Sequence, residues 1–111
     1  MSISKDEVKA LFAQIERQFR ADKAEGLSTT IQFNLTGDRS DSHYWLHVND
    51  GGLNVGEGQA ENPRMTLIAD ADDFAAIVSG ESNAMQAFMS GKLKVKGDMT
   101  LAMKLQSIFG L

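Results

Sequence analysis

The sequence predicts an α+β fold in which five strands form a mostly antiparallel sheet with its helices gathered on one face. Three observations lead to this prediction. Apolar residues recur at helical intervals near the start of the chain, after residue 70 and near the end. Between these segments, and again at 92–96, apolar and polar residues alternate as in half-buried strands. Turn signals separate the runs, which gives the order α-β-β-β-β-α-α-β-α within one domain, residues 1–111.

The first helix is predicted from a capping box. Ser4 and Glu7 have the spacing at which each side chain accepts a hydrogen bond from the other residue's backbone amide. Apolar residues then recur within an arc of about 100°: Val8, Leu11, Phe12, Ile15 and Phe19. We expect this helix to end near Glu25 and Gly26, because glycine readily adopts the left-handed conformation that terminates helices.

Four strands are expected before the second helix. The runs "STTIQFNLTG" and "HYWLHV" flank a turn-rich segment and predict a hairpin, and "NDGG" is a strong turn signal before a third strand. After a break at residues 61–63, "RMTLIAD" predicts the fourth strand. Their expected apolar face consists of Ile31, Phe33, Leu35, Tyr44, Leu46, Val48, Leu53 and Val55.

The last third of the chain predicts three more helices and one more strand. Asp70 can cap a helix that stops at Gly80, and Asn83 can cap the short helix "AMQAFMS". The run "KLKVK" predicts a strand with Leu93 and Val95 inward and its lysines outward. Residues 98–109 then predict the terminal helix.

Charge and composition exclude several function classes. The net charge is −4, and residues 1–81 carry −7 whereas residues 82–111 carry +3. An acidic chain is a poor nucleic-acid binder, since duplex binding depends on many phosphate contacts. The lysines of "KLKVK" favour protection of an edge strand over contact with one anionic head group. Absence of cysteine excludes disulfides and thiolate chemistry.

The sequence contains no signal for a membrane span or a secretory leader. No apolar run approaches the roughly 18 residues needed to cross a bilayer, and the start "MSISKDEVKA" is polar. We therefore expect a soluble, cytoplasmic protein.

No residue pattern predicts catalysis, a cofactor or a metal site. His43 and His47 share a strand face but lie about 13 Å apart along an extended chain, too far to bind one ion. Trp45 has the opposite face from Leu46, which favours a half-buried sheet position over a ligand mouth. The glycines at 51–58 lack the spacing of a phosphate-binding loop.

The terminal helix has more apolar surface than a simple cover for a core requires. Its apolar residues and Gln106 span roughly 220° of the helix, against about 100° for a one-sided helix. We expect one side, with Leu101, Leu105 and Ile108, to face the core. The other side, with Met99, Ala102, Met103 and Phe109, would line a second apolar space. Gln106 would hydrogen-bond either the backbone or the polar group of a ligand.

Residues 87–109, "AFMSGKLKVKGDMTLAMKLQSIF", resemble the C-terminal signature of the sterol carrier protein type 2 family. Upstream, "DGGLNVGEGQAENPRMTLIADADDFAAIVSGESNAMQAF" follows the family's order of elements more loosely. One departure is Ala84, where many relatives have proline after a capping aspartate in place of Asn83. The departure slightly weakens the start of that helix.

The resemblance implies a five-stranded sheet whose helices enclose an apolar tunnel for fatty acids, fatty acyl-CoAs, sterols or phospholipids. It implies non-catalytic lipid binding and transfer, with an accessory module that presents a lipid or isoprenoid intermediate to a partner enzyme as the alternative. Transient contact with a membrane or an enzyme fits both. The candidate lipid-binding residues are Phe33, Phe74, Ile77, Met85, Phe88, Met89, Met99, Ala102, Met103, Gln106 and Phe109.

Overall fold

The computed structural model describes residues 4–37 and 42–109, with the side chain of Gln106 outside the described part. The helices are α1 (Lys5–Gln18), α2 (Ala71–Ser79), α3 (Ala84–Met89) and α4 (Met99–Phe109), with a 3₁₀ turn at Ala21–Lys23. The strands are β1 (Ser28–Thr36), β2 (Ser42–Asn49), β3 (Gly52–Glu57), β4 (Met65–Asp70) and β5 (Leu93–Gly97). This order confirms the predicted succession of elements.

The sheet is mixed and has the strand order β3-β2-β1-β4-β5. The pairs β1–β2, β2–β3 and β4–β5 are antiparallel, as the hairpin signals predict. The pair β1–β4 is parallel, with Phe33 opposite Leu67. The mostly antiparallel α+β fold is therefore confirmed, and β1 is the central strand because two strands lie on each side of it.

A buried glutamine holds the connection between β3 and β4. Gln32 lies on the outer face of β1 and is 1% exposed. Its Nε2 donates to the Gly58 carbonyl at 3.0 Å, and its Oε1 accepts from the Ala60 amide at 2.8 Å. The chain thus crosses the outer face of the sheet between β3 and β4, and the glutamine amide satisfies backbone groups that the crossing would otherwise bury unpaired.

An aromatic cluster fixes α1 on the inner face. Phe12 stacks on Tyr44 with 4.2 Å between ring centroids, and meets Phe33 edge-on at 5.3 Å and Phe74 at 5.6 Å. Such pairs add about 0.5–1.5 kcal/mol each beyond the area they bury. α1 is therefore tied to two strands and to α2 through one side chain.

The first helix begins as predicted but ends earlier. Ser4 Oγ accepts from the Glu7 amide at 3.2 Å and Glu7 Oε1 accepts from the Ser4 amide, which confirms the capping box. The predicted end near Gly26 is wrong. Phe19 is extended, and the Arg20 amide donates to the Ile108 carbonyl at 2.7 Å, so the chain leaves the helix to bond the end of α4. Gly26, at φ +78°, turns the later connection instead.

The remaining helix boundaries agree with the sequence signals. Asp70 Oδ1 accepts from the Asp72 amide at 2.9 Å and Asn83 Oδ1 from the Met85 amide at 2.7 Å. Gly80 ends α2 in the left-handed conformation at φ +87°. These caps place α2 and α3 over the inner face of the sheet beside β4 and β5.

Tyr44, the single tyrosine, makes the free energy of unfolding depend on pH in the alkaline range. Burial raises the pKa of its hydroxyl, and the hydrogen bond to Glu57 at 3.1 Å and the charges of Glu57 and Asp6 raise it further. An unfolded tyrosine has a pKa of about 10. Because the folded pKa lies higher, the neutral hydroxyl contributes stability below about pH 10, and this stability is lost as pH rises through the folded pKa.

We expect Tyr44→Phe to lower the free energy of unfolding by about 1 kcal/mol at neutral pH, because it removes one hydrogen bond but keeps the ring stacking. Above about pH 10 the wild type should lose more stability than the variant, which cannot ionise. Urea unfolding of both proteins across this range tests the expectation. Identical pH dependence of the two proteins would contradict it.

Candidate functional site

An apolar cavity of about 200 Å³ lies between the inner face of β1, β4 and β5 and the helices. It is bounded by α2, α3 and α4, with one residue from α1. Its described lining is apolar throughout: Ile15, Phe33, Leu67, Phe74, Ile77, Ala84, Met85, Phe88, Leu93, Val95, Met99, Ala102, Met103, Leu105 and Phe109.

The cavity is buried on one side and open to solvent on the other. Phe33, Phe74 and Phe109 line it and are almost fully buried. Met85 and Phe88 of α3 also line it, yet each is about 40% exposed. On α4, Met99 is 46% and Met103 63% exposed. The cavity therefore opens to solvent between α3 and α4.

The terminal helix divides its apolar surface in the expected way. Leu101, Leu105 and Ile108 are buried in the core. Met99, Ala102, Met103 and Phe109 line the cavity, and Leu105 reaches both. Asp98 caps this helix by accepting from the Thr100 amide at 2.9 Å, which satisfies a backbone donor at the helix start.

Nine of the eleven candidate residues line this cavity: Phe33, Phe74, Ile77, Met85, Phe88, Met99, Ala102, Met103 and Phe109. Met89 does not, because it lies on the outward side of α3 and is 79% exposed. The side chain of Gln106 falls outside the described residues.

Six lining residues were not candidates: Ile15, Leu67, Ala84, Leu93, Val95 and Leu105. A signal for three of them exists in the strand alternation, which turns Leu67, Leu93 and Val95 to the inner face. Strand pairing sets Phe33 beside Leu67 and Leu67 beside Val95. Phe33, Leu67 and Val95 therefore form one row across the sheet. The pairing order, which the alternation does not contain, makes this row the cavity floor.

The described lining offers no charged or hydrogen-bonding side chain to a ligand. Two buried side-chain atoms have no hydrogen-bond partner in the described part, Gln18 Oε1 and Thr29 Oγ1, and neither residue lines the cavity. Such a space can exclude water and hold hydrocarbon.

The histidines and the tryptophan lie on the opposite, outer face of the sheet. His43 Nδ1 is 2.8 Å from Asn34 Oδ1, and His47 Nδ1 is 2.8 Å from Thr30 Oγ1. Trp45 covers Gly56, where any side chain would collide with the indole ring. Within residues 4–37 and 42–109, no three His, Cys, Asp or Glu side chains come together as a metal site would require.

None of the helices in the described part has the length and apolar character needed to cross a bilayer.

Comparison with known proteins identifies the family. Residues 8–110 match the SCP-2 sterol transfer family. The chain belongs to this family. Over 100 residues it is 37% identical to hydroxysteroid dehydrogenase-like protein 2 of Xenopus laevis, an alignment that covers 89% of this chain and 24% of that protein. The chain thus spans about a quarter of the length of the first curated relatives it matches.

Solved structures show the same SCP-2 fold. Palmitated SCP2L2 from Aedes aegypti superimposes with a TM-score of 0.77 at 19% identity, covering 98% of this chain and 96% of that one. The ubiquinone synthesis protein UbiJ-SCP2 superimposes with a TM-score of 0.68 at 14% identity, covering 92% of this chain and 90% of that one. These likenesses confirm the predicted sheet and helices of the SCP-2 fold.

We call the four exposed lining residues the rim: Met85, Phe88, Met99 and Met103. The difference in burial between the rim and the floor can be tested by introducing one charge in each. Because Met103 is mostly exposed, Met103→Asp should change the free energy of unfolding by no more than about 1 kcal/mol. Leu67→Asp should cost several times as much, since it places an unpaired carboxylate in the buried floor. Urea unfolding measures both. Equal losses would show that the cavity is closed at α4.

Proposed function

We propose that residues 1–111 act as one lipid-binding domain that carries an apolar lipid in the cavity that opens between α3 and α4. The ligand class is a fatty acid, a fatty acyl-CoA or another lipid. The observation that supports this most strongly is the uniformly apolar described lining, open at one side to solvent. A fatty-acid complex of the same fold, the palmitated Aedes aegypti protein, adds support.

The binding energy would come from burial of hydrocarbon. At about 0.8 kcal/mol per methylene, a chain of about fifteen methylenes gives about 12 kcal/mol gross. Lost motion of ligand and side chains removes a large part of this, which leaves an affinity in the micromolar to sub-micromolar range. Chain length and fit, rather than a specific polar contact, would then set selectivity.

The bound chain would have to move the rim side chains apart. A cavity of about 200 Å³ is smaller than the range of about 300–1,000 Å³ common for ligand pockets. Three of the four rim residues, Met85, Met99 and Met103, are methionines, whose unbranched side chains change rotamer at low cost. Their flexibility would let the cavity lengthen around chains of different size.

The polar end of the ligand would remain at the open side. The described lining offers it no hydrogen-bond partner, and burying an unpaired polar group costs about 1–3 kcal/mol or more. A large head group such as coenzyme A would therefore stay in solvent. Gln106 remains a candidate for contact with the head group, on the sequence alone.

We also propose that the domain is not an enzyme. General acid–base or nucleophilic catalysis needs a titratable or nucleophilic group at the reacting atom. The described cavity lining consists only of aliphatic, aromatic and thioether side chains. The lipid would enter and leave unchanged.

A filled cavity should abolish binding. Ala102 lines the cavity on α4, so Ala102→Trp would occupy the ligand space without adding charge. The matched control is Ala13→Trp, on the exposed surface of α1. We expect native mass spectrometry to detect co-purified lipid on the wild type and the control but not on Ala102→Trp.

Displacement of a fluorescent fatty acid provides the second measurement for the same variants. We expect at least about a tenfold loss of affinity for Ala102→Trp, which corresponds to about 1.4 kcal/mol. Failure of the wild type to bind lipid or probe would overturn the proposed function. Equal binding by Ala102→Trp would move the site elsewhere.

A second candidate function is that of an accessory module that presents a lipid or isoprenoid intermediate to a partner enzyme. Two observations favour it. The chain matches about a quarter of hydroxysteroid dehydrogenase-like protein 2, so the same domain occurs within a longer, dehydrogenase-like protein. A solved structure with this fold is described as a ubiquinone synthesis protein. Crosslinking in cells that recovers one stable enzyme partner, together with no lipid transfer between vesicles, would support this function over free transport.

A further inference from the structure

The methionines of this chain divide sharply by burial. Three of them belong to the rim and are exposed: Met85, Met99 and Met103. Met89 is exposed as well and follows Met85 by one helical turn on α3, but it does not line the cavity. Met65 of β4, in contrast, is buried in the core. Within residues 4–37 and 42–109, one methionine is thus kept from solvent and four are presented to it on α3 and α4.

Thioether sulfur is the only sulfur in the chain, which has six methionines and no cysteine. Peroxides oxidise a thioether to a sulfoxide, which turns a flexible apolar side chain into a polar one. With hydrogen peroxide, the sulfur lone pair forms a bond to one peroxide oxygen and the O–O bond breaks. The other oxygen leaves as water with both hydrogen atoms, so sulfur loses two electrons and the peroxide gains them. In this chain no thiolate competes with the thioethers for the oxidant.

We propose that the three rim methionines, Met85, Met99 and Met103, are a site of oxidative modification, at which peroxides lower the affinity of the cavity for its lipid. The inference rests on the proposed function and deepens it, because it names a reaction that regulates the same site. The oxidant is hydrogen peroxide or another small hydroperoxide that reaches exposed sulfur from solvent. The lipid takes no part in the reaction.

A sulfoxide at the rim would weaken binding whichever way it pointed. The described lining has no side chain that can donate a hydrogen bond to the sulfoxide oxygen. An oxygen turned toward the bound chain would lose its hydrogen bonds to water, which costs about tenfold or more in affinity. An oxygen turned toward solvent would draw the methionine side chain away from the ligand and remove its hydrocarbon contact.

A bound lipid would in turn protect the rim sulfurs. The rim side chains would pack against the bound hydrocarbon, so peroxide would reach them less readily than in the empty protein. Met89 would stay exposed in both states, because it does not line the cavity. Ligand therefore distinguishes the rim methionines from Met89, whereas burial alone distinguishes them from Met65.

Site-resolved oxidation tests the modification. The full chain, freed of lipid, is treated with hydrogen peroxide, and tandem mass spectrometry of its peptides gives the rate of sulfoxide formation at each methionine. We expect the rim methionines to react at least about tenfold faster than Met65. Saturating palmitate should slow the reaction of the rim methionines but not that of Met89. Equal rates at Met65 and the rim would overturn the proposal, and so would equal protection of Met89.

The affinity for a fluorescent fatty acid tests the consequence. Peroxide should lower the affinity of the wild type by at least about tenfold. Methionine sulfoxide reductases A and B, with dithiothreitol as the reductant, should restore it. The variant that combines Met85→Leu, Met99→Leu and Met103→Leu keeps an apolar rim without thioethers. Whatever its affinity before treatment, that affinity should be the same after peroxide, whereas the matched control Met89→Leu should lose as much as the wild type.

Undiminished affinity of the peroxide-treated wild type would overturn the proposal. An equal loss in the triple leucine variant, or no recovery with the reductases, would contradict it as well, because the loss would then arise from damage elsewhere. Failure of the untreated wild type to bind the fatty acid would overturn the proposed function and this inference together. Fatty-acid binding that is normal but insensitive to peroxide would overturn this inference alone.

Discussion

The row of apolar side chains across β1, β4 and β5 is the constraint on which the rest of the structure depends. Phe33, Leu67 and Val95 occupy neighbouring strands at one level of the inner face, and they must be kept from water. The helices cover this row only partly, because α3 and α4 stand apart above it. Close packing is the normal state of a protein interior, so the space left over these apolar residues supports the proposal that a ligand fills it. Ligand binding and folding would then draw on the same burial of hydrocarbon.

The two halves of the helical layer have different tasks. α1 is held by Phe12, whose ring touches aromatic side chains of β1, β2 and α2. That half gives the sheet a rigid cover. The other half, α3 and α4, presents methionines that are exposed at the rim of the cavity. The aromatic contacts of α1 are buried, whereas the methionines of α3 and α4 at the opening are exposed.

An apolar cavity without polar anchors binds by exclusion of water rather than by recognition. Each methylene adds a similar increment of free energy, so related chains differ in affinity by their number of buried carbons. Discrimination between head groups would have to arise outside the described lining. The described lining therefore accounts for selection by chain length and not for selection by head group.

The sequence by itself determined the succession of elements, the caps of α2 and α3, and the two apolar sides of α4, because each of these follows from local periodicity and local hydrogen bonding. It also revealed the family. Only the tertiary structure decided that Met85 lines the cavity whereas Met89, one helical turn later, does not. The early end of α1 depends on a hydrogen bond from Arg20 to the distant Ile108, and the floor depends on parallel pairing of β1 with β4. Such contacts join residues far apart in the chain, and a periodic pattern states which face is apolar but not what that face will meet.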